Sequence, residues 1–168
     1  MKRKVLWIED GARFDLPQLA GPVYIDGSYD LVVAEDISTG ISHLLRNEFQ
    51  VVIVDIRLPP GDDPRWINLY SAAGQDKVQA RLGLELLYSI VGRPEAQVEL
   101  EYRPEWITAD RLGVFTVESY QEIEGDLRGL NIRVFQQKRA DLPDTILLEL
   151  IEKILRQQDQ PHAGAEKG

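Results

Sequence analysis

Residues 4–10 read KVLWIED, an apolar run that ends on two adjacent carboxylates. Val5, Leu6 and Ile8 fit a strand covered on both faces, the habit of a parallel sheet. Glu9 and Asp10, side by side, repel each other and need a cation, a basic side chain or water nearby. Four more short apolar runs follow at 29–34 (YDLVVA), 51–56 (VVIVDI), 112–117 (LGVFTV) and 132–136 (IRVFQ). The stretches between them have helical periodicity. In 37–49 Ile37, Ile41, Leu44, Leu45 and Phe49 fall near one face, and in 77–91 Val78, Leu82, Leu86, Leu87 and Ile90 do the same. A last helix over 144–157 has Asp144 as its expected N-cap and turns Ile146, Leu147, Leu150, Ile151, Ile154 and Leu155 inward. Strand and helix alternate, which predicts an α/β fold with a parallel sheet and helices on both faces.

Three segments depart from the alternation. Residues 11–28 should hold the first crossover helix, but Pro17 and Pro22 predict a short or broken one. Residues 57–76 and 93–111 are too long for ordinary connections and read as two inserted loops. The second alternates around Val98, Leu100 and Tyr102, which predicts an extra strand or hairpin arm. One domain is expected over 1–157, with residues 158–168 a disordered tail, polar and rich in small residues.

Composition limits the chemistry. At 168 residues and 43% apolar content, the chain suits one globular domain with a full core. No apolar run approaches the roughly 18 residues a membrane span needs. No signal-like segment follows Lys2-Arg3-Lys4, so no membrane association and a cytoplasmic location are expected. There is no cysteine, and only His43 and His162 offer imidazole. Zinc is therefore disfavoured, and a hard cation on carboxylates is the plausible metal chemistry. His43 reads as a surface or satisfied histidine, His162 falls in the expected tail, and neither is assigned a function. A net charge of −9 argues against a general nucleic-acid surface. Trp66 and Trp106, one in each insertion, read as local core, although with Tyr70 and Tyr102 they would also suit an aromatic contact surface.

In an open parallel sheet the chemistry gathers at the carboxyl ends of the strands. Those ends carry Glu9 and Asp10, then Asp55, Thr116 and Lys138. Taken one at a time, each has a plain reading: a solvated strand-end acid, a helix cap, a hydroxyl on a backbone group, a surface lysine. Together they place acids, a hydroxyl and an amine on one rim.

That set resembles the receiver domain of two-component response regulators, from residue 4 to about 156 apart from the two insertions. WIED is similar to the family's acidic pair, VVIVDIRLP to its phosphorylated aspartate with a proline four residues on, VFTVES to its hydroxyl strand and VFQQK to its lysine strand with an aromatic three residues earlier. The resemblance implies a flavodoxin-like, doubly wound five-stranded parallel sheet of order 2-1-3-4-5. It also implies Asp55 as phosphoryl acceptor, with Mg2+ held by Asp10, Asp55 and the Arg57 carbonyl, and by Glu9 directly or through water. Lys138 and Thr116 would contact phosphoryl oxygens, and a Thr116/Phe135 switch would reshape the surface around the fifth strand.

Some positions depart from the family's pattern. Arg139 stands where a proline usually follows the lysine. Phe135 replaces the commoner tyrosine and lacks its hydroxyl. Val117 is bulky where a small residue is common, which implies slow dephosphorylation by an external phosphatase. Arg57 and Glu118 flank the phosphoryl position and would pair over it, screening water.

The resemblance implies a histidine kinase or phosphotransfer protein as donor and a downstream protein as target. No DNA-binding or output module fits after residue 158, so direct DNA binding is not expected. The chain would be a phosphoacceptor, with at most autophosphorylation and autodephosphorylation activity. A second reading stays open: a pseudo-receiver, never phosphorylated, that uses its insertions for protein interaction or homodimerisation. A metal-dependent phosphohydrolase of related topology fits less well, since the second acid that pattern wants is Arg57 here.

Overall fold

The computed structural model describes residues 1–11 and 16–160. Strands β1 (Arg3–Ile8), β2 (Tyr29–Ala34), β3 (Val51–Val54), β4 (Leu112–Thr116) and β5 (Val134–Gln137) pair in parallel throughout, in the order β2-β1-β3-β4-β5. This is the doubly wound order expected from the sequence.

Period-two alternation divides the core into two layers. Val5 and Trp7 of β1, Val51 and Ile53 of β3 and Phe115 of β4 face helices α1 (Leu16–Asp26) and α7 (Ile146–Asp159). Leu6, Ile8, Val52, Val54, Leu112 and Val114 face the other layer, formed by α2 (Ile37–Arg46), α3 (Pro64–Ala72), α5 (Leu82–Val91) and α6 (Tyr120–Leu130). Val5 to Ile8 and all of β3 and β4 are buried, so the three central strands are covered on both sides. Each aliphatic side chain buried there contributes about 1.5–3 kcal/mol, which anchors the strand ends that carry the polar residues.

Several local expectations are corrected. The first crossover helix is neither short nor broken where it is described: Leu16–Asp26 is continuous, with Pro17 in its first turn, where no helical N–H is needed, and Pro22 inside. Residues 12–15 of that segment lie outside the described residues. The helix expected over 77–91 is two, because Arg81 adopts a left-handed conformation (φ 48°) between α4 (Lys77–Ala80) and α5.

The break has a steric purpose. It brings Gly83 against the end of β3, where its N–H donates to the Ile56 carbonyl at 2.9 Å. A Cβ on Gly83 would lie 1.8 Å from the Asp55 carbonyl oxygen. Only glycine allows this approach.

The segment expected as the first insertion contains α3, which seats Trp66 fully buried in the main core. The second insertion forms no strand. Its carbonyls are taken by side chains: Ser89 Oγ donates to Val98 at 2.6 Å and Arg65 Nη1 to Glu99 at 2.8 Å. A one-turn 3-10 helix, Ala109–Arg111, leads from it into β4.

Asp144 is not the cap of α7. The Ile146 N–H bonds back to Pro143, and Thr145 takes the cap position, its hydroxyl on Glu149 rather than on a backbone N–H. Helix α7 runs through Asp159, and residues 161–168 of the expected tail, with His162, lie outside the described residues. Among the described residues no helix is long and apolar enough to cross a membrane.

Candidate functional site

Strand register sets the rim. Ile8 pairs with both Ala34 and Val54, Val54 pairs with Val114, and Thr116 pairs with Gln137. The strands therefore end nearly level. Pairing also continues one step past them, with the Asp55 N–H on the Ile8 carbonyl at 3.0 Å and the Lys138 N–H on the Thr116 carbonyl at 2.7 Å. Glu9, Asp10, Asp55, Thr116 and Lys138 thus leave the sheet at one edge.

At the centre of the rim stands Lys138. Its ammonium donates to Glu9 Oε1 at 2.5 Å and to Asp55 Oδ2 at 3.0 Å. All three side chains are nearly buried, at 6% exposure for Lys138, 2% for Glu9 and 7% for Asp55. The Lys138 ammonium also lies 5.5 Å from the centre of the Phe115 ring. Two carboxylates share one ammonium here, and the balance shows in Glu9. Burial first, then hydrogen bonding to Asp55 and its negative charge, push the Glu9 carboxyl up to about 7 against the opposing pull of Lys138.

Asp10 faces a different cation. Lys77, at the start of α4, donates to Asp10 Oδ2 at 2.5 Å, with the lysine 40% exposed and the aspartate 11%. Among the described residues no three acidic or histidine side chains converge as a metal site. The donor chemistry still suits a hard cation: Glu9, Asp10 and Asp55 offer only oxygen, and the Arg57 carbonyl follows two residues after Asp55.

Thr116 is fully buried, and its hydroxyl accepts the Glu118 N–H at 3.4 Å. Phe135 is half-buried against the core layer of α2, α3, α5 and α6, and its ring lies 5.4 Å from that of Tyr120 at the start of α6. Val117 is half-buried, and its carbonyl accepts the Gln137 side-chain amide at 3.2 Å.

Arg57 and Glu118 do pair, Nε to Oε1 at 3.0 Å, with the Glu118 side chain only 1% exposed. Arg81 adds a contact to the other Glu118 oxygen at 3.5 Å and reaches Glu122 at 3.2 Å. Burial acts to raise the Glu118 carboxyl, but hydrogen bonds it accepts from Arg57 and Glu122 and the two arginine charges outweigh it and hold it below its ordinary value.

Lys77, Arg81 and Gly83 were not singled out in the sequence. The glycine before an apolar helical run was visible as a possible close approach. The two cations carried no signal, because their placement depends on the turn at Arg81. Trp66 sits in the main core rather than a local one, and Trp106 is partly buried against that core, 6.1 Å from Phe49 and with Arg111 over its ring at 5.6 Å.

No family profile matches the sequence, and no curated protein matches it. Solved structures do. The CheY-like response regulator receiver domain protein from Methanospirillum hungatei superposes with a TM-score of 0.57 at 17% identity, covering 96% of this chain and 100% of that one. The non-phosphorylated HemR receiver domain from Leptospira biflexa gives 0.58 at 20% identity, covering 96% and 99%. The Mn2+-bound form of response regulator Rcp1 gives 0.55 at 13% identity, covering 92% and 90%. The chain has the fold of response-regulator receiver domains.

Proposed function

We propose that the chain is a receiver that accepts a phosphoryl group on Asp55 and passes the change to a protein partner. The observation that carries this reading is the buried Lys138 ammonium, 3.0 Å from Asp55 and 2.5 Å from Glu9, at the carboxyl edge of a receiver-type sheet. A lysine so placed has a task beyond solubility. It orients the acceptor carboxylate and neutralises an incoming phosphoryl oxygen.

In the proposed reaction an Asp55 oxygen attacks the phosphorus of a phosphohistidine on a kinase or phosphotransfer protein. The P–N bond breaks, and its electron pair returns to the imidazole, which takes a proton. Asp10, Asp55 and the Arg57 carbonyl, with Glu9, would hold a magnesium ion, as the Mn2+-bound relative makes plausible for this fold. That ion would supply charge neutralisation at the equatorial oxygens. Lys138 would then exchange its bond with Glu9 for one with the phosphoryl group. Thr116 would turn its hydroxyl from the Glu118 N–H toward the same group. Phe135, half-buried beside Tyr120, would fill the space that Thr116 leaves. Arg57 and Glu118, paired at 3.0 Å, would restrict water at the acyl phosphate, and Val117 would slow an external phosphatase. The setting is cytoplasmic, and the output is a protein contact rather than DNA.

A second reading draws support from the same geometry. Every acid on the rim already faces a lysine or arginine, which is what a phosphorylation-independent interaction module, monomeric or dimeric, would also need. The experiment that separates them is incubation with Mg2+ and a small phosphodonor, followed by mass spectrometry of the intact protein. Gain of one phosphoryl group that is lost in Asp55→Asn supports the phosphoacceptor. No gain with any donor supports the interaction module.

A further inference from the structure

Among the described residues, two lysines from different elements face the acids at and beside Asp55. Lys138 comes from the sheet itself and bridges Glu9 and Asp55. Lys77 comes from α4, which follows the first insertion, and sits on Asp10 at 2.5 Å. Sixty-seven positions separate Lys77 from Asp10 along the chain, so no local propensity produces this pair. It exists because α4 stops at Arg81 and hands the chain to α5, whose Gly83 is locked against the Asp55 carbonyl. The same turn carries Arg81 to Glu118. The two ends of one four-residue helix therefore hold an acid on either side of Asp55.

We infer that Lys77 is an intramolecular competitor for the cation site on Asp10: its ammonium takes the position of charge that a divalent ion would neutralise, and the ion binds only as Lys77 leaves. The inference rests on the metal-dependent reading given above and adds a residue that sets its threshold. Two features support it. The aspartate is largely buried while the lysine is 40% exposed, so the lysine has water to move into and the acid does not. Lysine is a flexible point-charge donor that releases more readily than a bidentate arginine. A receiver with this device would stay unloaded at low magnesium and would gain a further requirement, release of Lys77 from Asp10, before it accepts a phosphoryl group.

The test is calorimetric titration of the full chain with Mg2+ alone, with no phosphodonor. Lys77→Met removes the competitor at a partly exposed position, and thermal melts check that the variant folds. Magnesium binding should tighten about tenfold, the size expected for releasing a partly exposed charge-assisted pair. Lys77→Arg, which keeps the charge, should bind at least as weakly as the unaltered chain. Lys153→Met, which makes the same change in net charge on the exposed side of α7, should leave binding unchanged. Equal affinity of Lys77→Met and the unaltered chain overturns the inference and leaves the phosphoacceptor reading standing. Equal tightening in Lys153→Met also overturns it, since net charge would then account for the effect. Absence of binding in all four proteins overturns the metal-dependent reading itself, and the inference with it.

Discussion

Replacing Glu9 by glutamine probes the charge balance that organises the rim. Glu9 and Asp55 share the Lys138 ammonium, so the trio carries a net negative charge when both acids are ionised and none when Glu9 is protonated. Burial foremost, and then Asp55, move the Glu9 carboxyl from 4.5 to about 7. In the unfolded chain it titrates near 4.5. Between those values the folded protein holds a proton that the unfolded chain has lost, so stability falls as pH rises. The contribution is complete below 4.5 and gone above about 7. At about 1.4 kcal/mol per pKa unit, the shift corresponds to about 3 kcal/mol. Glutamine keeps an uncharged group of similar shape at that place and removes the titration. The measurement is thermal unfolding by circular dichroism in chelator at pH 5 and pH 8, for both proteins. Other titrating groups cancel in the difference between them. The variant's advantage in Tm should widen by roughly 5–10 °C from pH 5 to pH 8, at about 2–4 °C per kcal/mol for a chain of this size. A difference that stays constant would refute the reasoning, because Glu9 would then be ionised throughout and held by Lys138 alone. A difference that narrows would reverse the sign of the linkage and refute it equally.

Two further substitutions test the neighbouring elements. Gly83→Ala would press a methyl group onto the Asp55 carbonyl oxygen, at 1.8 Å before relaxation; it should lower stability by about 3 kcal/mol or more in denaturant titration and reduce Mg2+ binding, because Asp55 moves with its backbone. Glu118→Gln should destabilise the protein by roughly 1–3 kcal/mol at neutral pH, the lower end being favoured because Arg57 and Arg81 are about a third exposed. The Glu118 carboxyl is held below its ordinary value, so its contribution is present above 4.5 and is lost as pH falls through the folded value. The penalty of Glu118→Gln should therefore vanish in acid, and a penalty that persists there would mean that shape rather than charge holds the two arginines.

The sheet was legible because its central strands are covered on both faces, and such strands have to be apolar almost without interruption. VVIV at 51–54 and LGVF at 112–115 have few other stable placements. Strand ends were legible for the same reason, since polarity can return only where cover stops. The helices were less so. The pattern over 77–91 has a helical period throughout, and nothing in local propensity marks Arg81 as a left-handed break. That break follows from a tertiary demand, the contact of Gly83 with the end of β3. The second insertion misled by alternation. Val98 is buried, but Tyr102, which a strand would place on the same face, is exposed, and Ser89 and Arg65 take the carbonyls that a ladder would need. Asp144 misled by type, because a good capping residue stands one place before the residue that takes the cap position.

The site divides along the same line. Glu9, Asp10, Asp55, Thr116 and Lys138 could be read because each stands at or within two residues of the end of an apolar strand run, and parallel register then brings those ends together. The Arg57–Glu118 pair could be read because both residues sit two positions past a rim residue, Arg57 after Asp55 and Glu118 after Thr116. Lys77 and Arg81 come from the turn region after an inserted helix, where the backbone path is set by packing of Trp66 and by the Gly83 contact rather than by period. Their charges nevertheless decide the electrostatics of the rim as much as the acids do. If the β3–α5 connection supplies cations to the acids, then on the proposed metal-dependent reading the rim acids alone do not fix metal affinity. Two chains with the same five rim residues would differ in magnesium threshold according to what that connection places on the aspartate next to Glu9.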